Sequence, residues 1–259
     1  MFGYSTTRLN YTDPAGPRYA GGAVSTVPAA AEVTPARLRV VTMNVEYGLR
    51  VDSAIAVLTE DSAVRNADVV LLQEMDERGT ARIASVLGAQ YVYYPSHVSP
   101  VAGRDFGNAI LSRWPIVADE KLVLPHAGYF RRTRRSAVEA TLQVGAERIR
   151  VYNVHFAMMT ELVPWARVEQ VRTVLADASR SPDPVIVGGD LNSHGLGGLF
   201  AEQGFSWPTR NQPPTHLVWS FDHLFLRGLR LAGGSATGVV ENVRGASDHK
   251  PVWAEVSLP

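Results

Sequence analysis

Hydrophobic and polar positions alternate between two patterns along the chain. Leu38-Arg39-Val40-Val41-Thr42-Met43-Asn44-Val45 is a β-rich run, and residues 52–65 then carry helical spacing through Ile55, Leu58 and Val64. Asp68-Val69-Val70-Leu71-Leu72 is short and nearly continuously apolar, as in strands covered on both faces. Further strands are expected at 108–111, 137–144, 148–154, 185–187, 221–226 and 252–256. Helices are expected at 80–87 and 165–178, with a short helical turn at 196–203. Leu217-Val218-Trp219 reads as a piece of core strand, with an exposed apolar hairpin as the alternative. Trp165 and Trp207 read as core or helix-face residues, with stacking on bases or a place on a lipid surface as the alternative. Residues 1–36 are rich in Gly, Pro, Ala, Ser and Thr and show neither period. They are predicted to form an extended or poorly ordered arm before a single domain at 37–259.

A weak internal likeness runs through this pattern. Leu38-Arg39-Val40-Val41-Thr42-Met43-Asn44-Val45 resembles Ile149-Arg150-Val151-Tyr152-Asn153-Val154. Each precedes a helical stretch and then an Asp-led apolar strand, which ends in Gln73-Glu74 in the first case and Gly189-Asp190 in the second. Either the domain has two strand–helix–strand halves whose ends converge, or β-rich strands simply look alike.

Composition narrows the chemistry. With 46% hydrophobic and 19% charged residues, the 259-residue chain can bury a sizeable core. Lys plus Arg and Asp plus Glu number 25 each, so no global field attracts nucleic acid or an anionic membrane. Any polyanionic partner must be met by a local patch. The absence of cysteine removes disulfides, Cys-ligated zinc, iron–sulfur clusters and thiol nucleophiles. No apolar run approaches the length of a membrane-spanning helix. The start MFGYSTTRLN lacks the basic and apolar segments of an intact signal peptide. Either the bacterial cytoplasm or export with a leader absent from this chain is compatible, and a monomer is expected.

The strands end in acids, amides and imidazoles: Asn44, Glu74, Asn108, His155, Asp190, Asn192, Asp222, Asp248 and His249. Singly, each has an ordinary structural reading as a turn former, cap or packed histidine. Together they would place several carboxylates at one sheet edge, which a hard cation would neutralise. Oxygen donors without cysteine point to Mg²⁺, Mn²⁺ or Ca²⁺.

Seven motifs occur in order: Thr42-Met43-Asn44-Val45, Leu72-Gln73-Glu74, Gly107-Asn108-Ala109-Ile110-Leu111-Ser112-Arg113, Asn153-Val154-His155, Gly188-Gly189-Asp190-Leu191-Asn192, Phe221-Asp222-His223 and Ala246-Ser247-Asp248-His249-Lys250-Pro251-Val252. On these the chain resembles the endonuclease/exonuclease/phosphatase superfamily, metal-dependent phosphohydrolases related to pancreatic deoxyribonuclease and abasic-site endonucleases. The resemblance spans about Arg37 to Val256. It implies a four-layered α/β/β/α sandwich of two mixed sheets flanked by helices. It also implies hydrolysis of a phosphoester by in-line attack of water, with Mg²⁺ (or Mn²⁺, Ca²⁺) as cofactor.

The resemblance assigns roles residue by residue. Glu74 would be a direct metal ligand, with Asn44 as ligand or orienting amide and Asp248 as a further contributor. Asp190 would orient and deprotonate the attacking water, while Asn192 donates to a phosphate oxygen. His249 would hydrogen-bond the scissile phosphate, with Asp222 fixing its tautomer, and His155 would be a second phosphate-facing histidine. Asn108 would bind phosphate or support the site. The nuclease relatives pair the residue at the His155 position with a glutamate; between Glu74 and Asn108 the chain offers only Asp76, Glu77 and Asp105. Arg131-Arg132-Thr133-Arg134-Arg135 is the one local basic cluster. Arg131 and Arg135 would grip substrate phosphate, or the run is a solvated loop. The substrate class stays open among nucleic acid, a phospholipid or sphingomyelin head group and a small phosphodiester. A non-catalytic binding module and a zinc-dependent amide or ester hydrolase are the readings from other classes.

Overall fold

The computed structural model describes residues 10–22, 35–233 and 236–258. In chain order the elements are β1 (Tyr19–Gly21), β2 (Arg37–Asn44), α1 (Val51–Glu60), β3 (Val69–Met75), α2 (Glu77–Leu87), β4 (Gln90–Val98) and β5 (Asp105–Ser112). Then come β6 (Ile116–Ala127), β7 (Arg134–Val144), β8 (Glu147–His155), α3 (Pro164–Ala178), β9 (Val185–Asp190) and α4 (Gly197–Glu202). Four strands complete the domain: β10 (Asp222–Arg227), β11 (Arg230–Leu231), β12 (Thr237–Val239) and β13 (Val252–Ser257). One mixed sheet has the order β1-β4-β5-β3-β2-β13-β11, with β12 also on β13; the other has the order β10-β9-β8-β7-β6.

Side-chain alternation along each strand builds the layers. Leu38 and Val40 of β2 and Val69 and Leu71 of β3 point into a core shared with Val138, Ala140, Val151 and Ile186 of the second sheet. The intervening Val41, Met43, Val70 and Leu72 face α1 and α2. On the far side, Tyr152, Val154, Val185 and Val187 pack under α3 and α4 with Phe200 and Phe225. Period-two alternation with apolar residues on both faces therefore yields the expected helix–sheet–sheet–helix sandwich.

The internal likeness has a structural counterpart. β2 and β3 are parallel with Asn44 opposite Gln73, and β8 and β9 are parallel with His155 opposite Asp190. Each pair is joined across a helix, so the two crossovers deliver their last residues to the same edge of the sandwich.

Several features differ from the sequence reading. α1 stops at Glu60 rather than Arg65, because Asp61 turns extended and its side chain accepts from the Ala63 amide at 2.9 Å. β4 and β6 lie outside the expected runs. Both carry a proline, and β6 is a sheet edge with two register shifts against β7. Leu217-Val218-Trp219 is not a core strand but the tip of a tight turn closed by backbone bonds between His216 and Trp219 of 3.0 and 2.8 Å. Of the expected N-terminal arm, residues 1–9 and 23–34 lie outside the described residues. Within 10–22 the chain turns at Asp13–Gly16, where the Gly16 amide donates to the Asp13 carbonyl at 3.3 Å, and then forms β1 antiparallel to β4. Lys121 Nζ donates to the Gly16 carbonyl at 2.5 Å.

Candidate active site

A β-bulge places the first carboxylate. β3 pairs with β5 in register through Leu72 and resumes only at Met75. At this slip Glu74 takes a left-handed φ of 62°. Asn153 of β8 reaches across from the other sheet to the slip, its Nδ2 donating to the Leu72 and Ala109 carbonyls at 2.8 and 2.7 Å. Gln73 Nε2 donates to Asn153 Oδ1 at 2.7 Å. This buried clamp fixes the bulge from which Glu74 projects.

Asp190, at the end of β9, is the hub. Gly189 precedes it at φ +143°, where a Cβ would lie 1.9 Å from the Val154 carbonyl, so only glycine lets β9 approach β8 here. Asp190 Oδ1 accepts from the Asn192 amide at 2.7 Å. Its other oxygen accepts from Asn44 Nδ2 at 3.1 Å and lies 3.5 Å from His155 Nε2 and 3.9 Å from His249 Nε2. Asn44 Nδ2 also donates to Glu74 Oε1 at 3.1 Å, so one amide spans the two carboxylates. Asn192 Nδ2 donates to the Phe156 carbonyl at 3.0 Å.

His249 Nδ1 donates to Asp222 Oδ2 at 2.8 Å. The other Asp222 oxygen is buried and has no hydrogen-bond partner. Thr215 Oγ1 accepts from the Phe221 and Asp222 amides, which holds the start of β10 in place.

Burial and crowding move these protons apart. Burial above all, and then Asp222, lift the Asp190 carboxyl to about 7, and burial raises the Glu74 carboxyl. Burial alone would depress His249, but the Asp222 carboxylate and its hydrogen bond, helped by Asp190 and Asp248, outweigh it and raise the imidazole to about 10. His155 goes the other way: burial, then the Arg135 guanidinium, hold it neutral. The site therefore pairs a cationic imidazole with a neutral one across a carboxylate poised near neutrality.

Arg135 is the residue the sequence could place only in a basic run. It is buried, with Nη1 3.2 Å from each ring nitrogen of His155. Its Nη2 reaches both Glu161 oxygens at 3.2 and 3.0 Å. Glu161 is thus the acid beside the His155 microenvironment, acting through Arg135. Asp76 instead caps α2 and pairs with Arg104, while Asp105 accepts from Tyr11. No sequence signal marked Glu161, because it sits in an irregular segment after β8 with no motif around it.

The remaining expected residues divide. Arg131 is exposed at the rim of the cavity, and Arg135 forms part of its wall. Asp248 is half exposed, 3.7 Å from His216 Nδ1 on the same rim. Asn108 is buried and donates to the Ser136 carbonyl at 2.8 Å, tying β5 to β7 across the sheets. Trp165 is exposed and packs edge-on against His126, whereas Trp207 lies among His194, His223 and Phe225. The cavity, about 240 Å³, is walled by Glu74, Asp190, Asn192, His155, His249 and Arg135, with Phe106 also in its lining.

The donor set fits a hard divalent cation. Glu74 and Asp190 are carboxyl oxygen donors buried together, with the Asn44 amide bonded to both and His155 Nε2 within 4.0 Å of each, and both are harder to ionise than an ordinary carboxyl. His216, Asp248 and His249 form a second close donor group at the rim, and Asp190, Asp222 and His249 a third.

The family model of the endonuclease/exonuclease/phosphatase family matches residues 41–249. No functionally curated protein matches the sequence. Among solved structures, an endonuclease/exonuclease/phosphatase from Beutenbergia cavernae is similar with a TM-score of 0.71 and 21% identity, covering 86% of this chain and 72% of its own. D. rerio TDP2 complexed with a single-strand DNA product is similar at 0.65 and 17%, covering 86% of this chain and 100% of its own. The human Nocturnin catalytic domain with a bound sulfate anion is similar at 0.65 and 18%, covering 93% and 98%. With five of the seven motifs lining one cavity, Asn44 of a sixth bonded to Glu74 and Asp190, and the family match running from within β2 to His249, the chain belongs to the endonuclease/exonuclease/phosphatase family, whose members are hydrolases of phosphoester bonds.

Proposed function

We propose that this chain is a divalent-metal-dependent phosphoester hydrolase that works by in-line attack of an activated water. The observation that carries the reading is the set of contacts on Asp190: an amide, a neutral imidazole and a cationic imidazole surround one buried carboxylate. Glu74 would hold the cation, with Asp190 beside it. Bound there, it would screen charge on the phosphoryl oxygens and lower the pKa of coordinated water.

The protein groups have separable tasks. Asp190, with its pKa near 7, takes the proton of the attacking water. His249 stays protonated at neutral pH and donates from Nε2 to a phosphoryl oxygen, held in orientation by Asp222. Arg135 supplies a second fixed positive group whose direction is set by Glu161. Asn192 restrains Asp190 through its backbone amide and lines the cavity. A sulfate in the Nocturnin neighbour and a DNA product in the TDP2 neighbour are ligands with the same oxyanion chemistry.

The test is hydrolysis of bis-p-nitrophenyl phosphate with Mg²⁺ or Mn²⁺, with EDTA and His249→Ala as controls. Turnover abolished by both is expected. Turnover that survives both, or no turnover from folded, metal-supplied protein, would refute the reading.

A further inference from the structure

Exposed apolar side chains are not spread evenly over this molecule. Eight of the twelve large exposed ones among the described residues lie on four segments: 99–104, 128–133, 156–163 and 203–221. All four segments also wall the catalytic cavity, through Ser99, Arg131, Glu161 and His216 among others. Val101, Phe130, Met159, Leu217, Val218 and Trp219 are the outermost of these tips. Phe130 is 88% exposed and Leu217 83%, so most of each residue's surface stands in solvent. Scattered exposed hydrophobics need no explanation, but their concentration around one opening does.

The tips are held out rather than left loose. Leu217 takes a left-handed φ of 51°, which projects the turn outward. At its base, His216 and Phe221 stack at 5.8 Å, and His216 lies 4.5 Å from His249. Sharing the mouth residues Tyr47, Arg131, Thr133, Met158 and Glu161 with the cavity is a groove of about 390 Å³ of mixed polar and apolar lining that also includes Val101 and Phe130. Exposed Arg131 and Arg132 directly follow Phe130, so guanidinium groups stand beside the most exposed ring.

We infer that this rim docks the protein on a phospholipid bilayer, with the apolar tips among the acyl chains and Arg131 and Arg132 at the phosphate level. That places a lipid phosphoester at the mouth of the cavity, a consequence that rests on the phosphoesterase reading. The chemistry favours a bilayer over other occupants. Most of the tips, Leu217, Val218, Val101 and Met159, are aliphatic or thioether groups with no flat ring for a base, Phe130 and Trp219 being the aromatic exceptions. With zero formal charge on the chain, it falls to the local Arg131 and Arg132 to meet an anionic surface. A globular partner seated on all four segments would close the opening through which substrate must pass. Tips of mixed aliphatic and aromatic character beside arginine match the boundary between acyl chains and head groups.

The experiment is vesicle co-sedimentation of the full chain, using phosphatidylcholine alone and mixed with phosphatidylglycerol, beside turnover of bis-p-nitrophenyl phosphate. The wild type should sediment with vesicles, more strongly with the anionic lipid. Leu217→Ser with Val218→Ser, and separately Phe130→Ser, should each weaken partitioning by about tenfold, as losing a large inserted side chain implies. The Leu217→Ser/Val218→Ser protein should keep its turnover of the soluble ester, since neither residue lines the cavity. Failure of the wild type to bind either vesicle, or equal binding by the variants, overturns the docking surface. So does a dimer in solution that the Leu217→Ser/Val218→Ser change dissociates, or single-stranded oligonucleotide binding lost in these variants without vesicle binding. Vesicle binding that follows the predicted pattern without turnover of the soluble ester supports docking and refutes the phosphoesterase reading.

Discussion

Replacing Asn153 by alanine tests the idea that one buried amide holds the bulge that carries Glu74. The side chain is fully buried between the sheets and makes three bonds: two donated to the Leu72 and Ala109 carbonyls and one accepted from Gln73. Gln73 Nε2 keeps Thr42 Oγ1 and the Leu71 carbonyl as partners, so its loss is small. The two carbonyls flank the register slip, and each left without this partner costs about 1–3 kcal/mol. The expected destabilisation is therefore about 2–6 kcal/mol, a large share of a typical domain's stability of about 5–15 kcal/mol. Urea unfolding monitored by tryptophan fluorescence should show a lower midpoint at unchanged slope. Because the clamp sits behind Glu74, the folded fraction of the variant should also need more metal for half-maximal turnover. A loss below about 1 kcal/mol with unchanged metal dependence would refute the clamp.

Three further outcomes follow from the geometry. Asp190→Asn should retain the fold and lower kcat by about 10²–10⁴-fold on a soluble phosphodiester, the range for loss of a general base; wild-type turnover would move the base elsewhere. Arg135→Lys keeps a charge but cannot span His155 and Glu161 together, so steady-state kinetics should show KM rising by about tenfold with kcat changed less. The third concerns acid stability. Burial holds His223 neutral, with its pKa lowered to about 4 against 6.5 when unfolded. The unfolded chain thus binds the proton first, and stability is full above 6.5 and lost as pH falls toward 4. This residue contributes a loss of about 2 kcal/mol between about pH 7 and about pH 5. In urea melts at those two pH values His223→Phe should lose about that much less than wild type, and equal losses would refute the assignment.

The sequence by itself determined the doubly covered strands, and through the family resemblance of its motifs it implied the layered architecture and most of the candidate site. Alternating apolar residues on β2, β3, β8 and β9 specify strands covered on both faces, and a strand so covered must end in loops at a sheet edge. Asn44, Glu74, His155 and Asp190 were legible because each closes such a run, and His249 with Asp222 because their motifs are local. Tertiary structure decided what depends on contacts between distant segments. Glu161 becomes part of the site only because an irregular segment after β8 folds back on Arg135, 26 residues earlier in the chain. β4 and β6 form through pairing with neighbours despite their prolines, and Leu217-Val218-Trp219 turns outward because it has only itself to pair with. Periodicity reports which face of an element is apolar. It does not report whether a short apolar run meets a partner, and that contact is what separates a core strand from an exposed tip.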